Sequence, residues 1–127
     1  MESIPQGERL FRGLREEWVQ GGFVSPDAID LQGVSVNREK YAAAQSVLTA
    51  ERTRVAYIRP QDFPPPVSLN EVTWGFITVD LPDDTNTAHA EVRAHRVGDV
   101  SVEARRPNSQ EARRTLKALL ASRMQLL

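Results

Sequence analysis

Residues 71–80, EVTWGFITVD, carry the alternation that decides the fold. In an extended chain Val72, Trp74 and Phe76 fall on one face, and Ile77 and Val79 fall on the other. Apolar side chains on both faces point to an inner strand, covered on each side. Upstream, residues 54–59, RVAYIR, read as a second strand ended by Pro60, and PQDFPPP follows as a stiff connection whose prolines lack the N–H a sheet needs. Downstream, PDDTNT at 82–87 is rich in turn formers. Ala90, Val92 and Ala94 then alternate with Glu91, Arg93 and His95. Beyond Gly98-Asp99, Val100, Val102 and Ala104 alternate with Ser101, Glu103 and Arg105, which predicts a hairpin.

Two stretches have helical character. Residues 37–50, NREKYAAAQSVLTA, begin with Asn37 as an N-cap and place Tyr41, Ala44, Val47 and Leu48 at helical spacing. Residues 109–125 follow Asn108 as a second N-cap, with Glu111 three residues on. Ala112, Leu116, Leu119, Leu120, Met124 and Leu127 form the apolar stripe of that helix. The first 36 residues are poorly periodic and are expected to wrap irregularly around the core. Within them ERLFRGLR (8–15) is either a short edge strand or an irregular lead-in broken at Gly13, and Gly21-Gly22 and Ser25-Pro26 read as turns. The expected fold class is therefore α+β: a single domain over 1–127, with an antiparallel sheet of four or five strands and helices at about 37–50 and 109–125.

At 127 residues, 40% apolar and 26% charged, the chain can build a core and is not expected to be disordered. It has no cysteine, which excludes disulfides, thiolate metal sites and cysteine nucleophiles. MESIPQGERLFRGLREEW does not read as a signal peptide, and no 18-residue apolar run offers a membrane span, so a cytoplasmic location is expected. The net charge of −1 is unevenly spread: residues 1–102 hold 10 basic and 15 acidic side chains, residues 103–127 hold 6 and 2.

The stretch TAHAE, 87–91, resembles the first half of the zinc-dependent nucleoside and tRNA adenosine deaminase signature. That resemblance would make His89 a zinc ligand and Glu91 the proton shuttle. The family's second half is P-C-x-x-C, whereas Pro107 is followed here by Asn108, Ser109 and Gln110. One histidine cannot hold catalytic zinc, and the alternation around it is that of a strand, so the match is a coincidence of short words and no metal or cofactor is expected. Arg12-Gly13, GVSVNREKY at 33–41 and AHAEV at 88–92 together resemble small uncharacterised bacterial proteins; this implies a bacterial origin and no activity.

Three groups remain as candidate sites. Gly33 to Arg38, leading into the expected helix, would offer an anion the free N–H groups of a helix start, with Arg12, Asn37, Arg38 and Tyr41 as ligand-binding side chains. Arg12, Arg15 and Trp18 form either a recognition surface, since Trp and Arg dominate binding hot spots, or a simple core anchor. Arg113, Arg114 and Lys117 give the last helix a basic face, but no aromatic accompanies them, so nucleic acid is not the expected partner. The expected function is a small binding module acting through a protein partner or as a homo-oligomer. The alternative is an enzyme or ligand-binding protein with a dispersed site around Arg38, His89 and Glu91, and the third reading is phosphate-backbone binding by the basic helix. The first two differ in geometry: a dispersed site must converge on one concave pocket.

Overall fold

The computed structural model describes residues 2–103 and 106–127. Seven segments pair into one sheet: β1 (Leu10–Leu14), β4 (Val34–Arg38), β5 (Arg54–Ile58), β6 (Val67–Leu69), β7 (Val72–Asp80), β8 (His89–Arg96) and β9 (Gln125–Leu126). A separate two-stranded hairpin joins β2 (Val19–Gln20) to β3 (Phe23–Val24) through Gly21-Gly22, both at positive φ. The spatial order is β6-β7-β8-β4-β1-β5-β9, and every pairing is antiparallel. Among the described residues there is one α-helix, α1 (Gln110–Arg123), between β8 and β9 in the chain.

The inner face of the sheet carries Leu10, Leu14, Val34, Val36, Ala56, Ile58, Trp74, Ala90, Val92 and Ala94. Leu116, Leu120, Ala121 and Met124 of α1 complete this core, together with Val24, Ala28, Ile29 and Leu31. Burying each of the larger side chains is worth about 1.5–3 kcal/mol before entropy is counted. The helix is capped by the Ser109 side chain, which accepts from the Ala112 N–H at 3.2 Å; Asn108, the expected cap, lies one residue too early. Leu127 leaves the expected stripe and is exposed.

The inner-strand reading of 71–80 holds for β7, which pairs with β6 and β8. The expectation of two helices on four or five strands does not hold. Residues 37–50 are not a helix: Asn37 and Arg38 end β4, residues 39–41 turn, and Ala44–Val47 form a single 3-10 turn. Val34, Val36 and Arg38 alternate inward, and β4 is hydrogen-bonded to β1 and β8. Two ladders of hydrogen bonds outweigh the helix propensity of three alanines, which would have to nucleate a short helix on their own.

Residues 10–14 are neither an edge nor irregular. β1 lies between β4 and β5 with all five residues buried. Gly13 is no break: a Cβ there would collide with the backbone carbonyl of Val47, so glycine lets the 3-10 turn pack directly on the strand. The expected hairpin about Gly98-Asp99 is also absent. β8 pairs instead with β7 and β4, and residues 100–103 form no strand, leaving Val100 and Val102 exposed. Ala104 and Arg105 of that expected return strand lie outside the described residues. The chain does turn after β8, with Gly98 at φ 94°.

Candidate interaction site

Three arginines gather on one indole. Trp18 ends a 3-10 turn, Glu16–Trp18, and its carbonyl accepts from the Ser25 N–H at 2.7 Å, which ties the turn to the β2–β3 hairpin. The guanidinium carbons of Arg12, Arg15 and Arg52 lie 5.7, 5.7 and 5.3 Å from the Trp18 ring centre, within cation–π range. Each arrives from a different segment: Arg12 from β1, Arg15 from the following turn, and Arg52 from the loop before β5. Arg52 is fixed by donating from Nη1 to the Gly13 carbonyl at 3.2 Å.

Charge at this site is uncompensated. Among the described residues, none of the three guanidiniums lies within ion-pairing distance of a carboxylate. Arg12 is only 6% exposed, yet its partners are the carbonyls of Ser35 (3.1 Å) and Ala28 (2.9 Å), and its Nε has no acceptor. Buried charges are normally paired, because removing them from water costs several kcal/mol. Burial, reinforced by the charge of Arg52 and partly offset by Asp30, lowers the Arg12 pKa to about 10, so the side chain stays cationic at neutral pH. Asp30 itself accepts from the Gln32 N–H, and Glu16 faces Arg54 and Thr53. Arg15 is exposed, Arg52 and Trp18 are half-buried, and Phe23 at the hairpin tip is 77% exposed.

Of the other candidates, Asn37 and His89 line one open pocket with Arg52 of this group, whereas Arg38 and Tyr41 belong to a separate network. Arg38 is 1% exposed and fully engaged: Nε and Nη2 donate to Glu8 at 3.0 and 2.9 Å, and Nη1 meets Glu2 at 2.8 Å and Asp80 at 3.3 Å. Glu8 raises the Arg38 pKa most, against the opposing effect of burial, so its charge is permanent. Tyr41 donates to Glu2 at 2.6 Å, and Lys40 joins at 3.0 Å. Tyr41, then Lys40 and Arg38, hold the Glu2 carboxyl at about 2. This network anchors the N-terminal segment to the sheet and leaves Arg38 no free donor face for a ligand.

Asn37 and His89 face each other across β4 and β8 on the outer side of the sheet. Asn37 donates to Ser46 at 2.9 Å and accepts from Asn86 at 2.9 Å. His89 Nδ1 lies 3.1 Å from the Leu81 carbonyl, and Glu91 is paired with Arg93 at 2.9 Å. His89, Glu91, Arg93 and His95 share the half-buried outer face of β8, while Ala90, Val92 and Ala94 are buried, as alternation requires. Glu91 therefore lacks the freedom of a proton shuttle, and among the described residues no group of three metal-binding side chains gathers.

The basic face of α1 stands on its own element. Arg113 donates to the carbonyls of Pro107 and Asn108, whereas Arg114 and Lys117 line a groove with Pro26, Asp27 and Gln110. The 3-10 turn Pro26–Ala28 packs against both α1 and the Glu16–Trp18 turn, so it separates the helix cations from the Trp18 cluster. Sequence reasoning grouped Arg12, Arg15 and Trp18 and missed Arg52, whose loop returns to β1 only through the β1–β5 pairing. Among the described residues no helix is long and apolar enough to cross a membrane. No protein-family model matches the chain, and neither a curated protein nor a solved structure matches it.

Proposed function

We propose that this chain is a non-catalytic binding module of the cytoplasm that acts through a protein partner, with the Trp18 face as its docking surface. The observation that carries the reading is a half-buried Trp ringed by three arginines that form no ion pair among the described residues, on a turn tied to the hairpin that carries the exposed Phe23. Trp and Arg with an adjoining apolar anchor are the side chains that dominate protein interfaces. The side chains an enzyme would need are scattered instead: Arg38 with Tyr41 in one network, His89 with Asn37 on the outer face, Arg12 at Trp18.

Affinity capture from the host, with nuclease present, tests this. Phe23 is 77% exposed, so Phe23→Asp is expected to leave the fold intact, which circular dichroism checks. A stoichiometric protein retained by the wild type and lost by Phe23→Asp supports the reading. Capture that is unchanged in Phe23→Asp, or lost on nuclease treatment, refutes it. Sedimentation of the purified protein separates a second copy of this chain from a foreign partner, since a self-interface shows as a Phe23-dependent dimer.

A further inference from the structure

Resting on that reading, we infer that the segment this face recognises is acidic: a stretch of partner protein whose Asp or Glu carboxylates meet Arg15 and Arg52 at the Trp18 ring. Four observations converge. Arg15 and Arg52 reach solvent, and each has donors left over after its contacts within the chain. Guanidinium forks match carboxylates in shape and take them bidentately. Arg12 is buried with no carboxylate of the described residues in ion-pairing distance and is only partly offset by Asp30, so its field adds to that of the two reachable arginines. Across the Pro26–Ala28 turn, Arg114 and Lys117 extend the basic character along α1, beside a groove of about 560 Å³. Phe23 adds an apolar contact for a hydrophobic residue of the same segment.

Phosphate is an anion of equal appeal to a guanidinium, but the surroundings discriminate. Glu16 and Glu17 share the turn with Trp18, and Asp27 lines the α1 groove. A nucleic-acid backbone, with a charge about every 1.7 Å of duplex axis, cannot avoid these carboxylates, whereas a peptide can space its own around them.

Calorimetric titration of the full chain tests the inference with four probes: a capped hexapeptide alternating Glu and Leu, its Gln–Leu counterpart, inorganic phosphate, and a short oligothymidylate. The acidic peptide is expected to bind at least about tenfold more tightly than the Gln version. Its affinity should drop about tenfold in Arg15→Glu and fall as salt rises, with no change in the circular dichroism of the variant. Equal binding of the two peptides, no peptide binding, or tighter binding of phosphate or oligothymidylate overturns the inference. The broader reading fails separately. If Phe23-dependent capture of a partner survives both Arg15→Glu and high salt, the face binds protein but the acidic partner is wrong. If capture ignores Phe23, the docking surface itself is wrong.

Discussion

Replacing Arg38 by Met should cost about 3–5 kcal/mol of unfolding free energy at pH 7, the range for breaking a buried ion pair by removing one partner. Met keeps most of the length of the side chain, so little of that loss comes from a cavity. The magnitude follows from what is left behind. The Glu8 and Asp80 side chains are only 8% and 3% exposed, and both meet Arg38. Without it two carboxylates stay buried and lose their ion-pair partner. Asp80 keeps only the Glu2 backbone N–H, at 2.8 Å. The domain's whole stability is of order 10 kcal/mol, so the change is large. Acid should relieve part of it, since orphaned carboxyls can take up protons and lose their charge. Urea denaturation at pH 7 and pH 4 measures both effects: the gap between wild type and Arg38→Met is widest at pH 7 and narrows at pH 4. Adding Glu8→Gln and Asp80→Asn to the variant should restore part of the loss. A gap below about 1 kcal/mol at pH 7, the value of an exposed pair, would refute the reasoning.

Gly13→Ala should destabilise by about 2–4 kcal/mol in thermal or urea unfolding, because the obstacle is the Val47 backbone, which cannot swing aside. Glu71→Gly should stabilise by about 0.5–1 kcal/mol: Asn70 and Glu71 make the β6–β7 turn with φ of 52° and 67°, a conformation suited to Asn-Gly. The Glu2 carboxyl titrates at about 2 in the folded chain against 4.5 unperturbed, so its contribution is complete above pH 4.5 and disappears as pH falls towards 2. Acid titration of Glu2→Gln, followed by circular dichroism, should therefore show a shallower loss of stability across that window. His89→Ala should cost less than about 1 kcal/mol, since the ring is half-buried and makes one hydrogen bond to a loop carbonyl. A larger loss in equilibrium unfolding would place the histidine in the core.

Alternation made β8 legible and the spacing of Leu116 and Leu120 made α1 legible, because each buries one face continuously, while β7 was legible from apolar residues on both of its faces. The failure at 37–50 has a physical source. Val34-Ser35-Val36 already alternates, and Arg38 continues it, but an arginine on the inner face reads as solvent-exposed unless its partners are known. Those partners, Glu2, Glu8 and Asp80, are 30 to 42 residues away, beyond any local pattern. β1 was obscured likewise by Arg12, which sits among buried residues and is held by two backbone carbonyls rather than by water. The grouping of Arg12, Arg15 and Trp18 was visible because it is local; Arg52 joins them only once β5 pairs with β1.

Hydrogen exchange of the chain, alone and with its captured partner, tests the central claim most directly. Docking on the Trp18 face predicts added protection over residues 15–24, with the outer face of β8 from Glu91 to His95 unchanged. Protection confined to the outer face or to the loop after β8, with residues 15–24 exchanging as in the free chain, would contradict it.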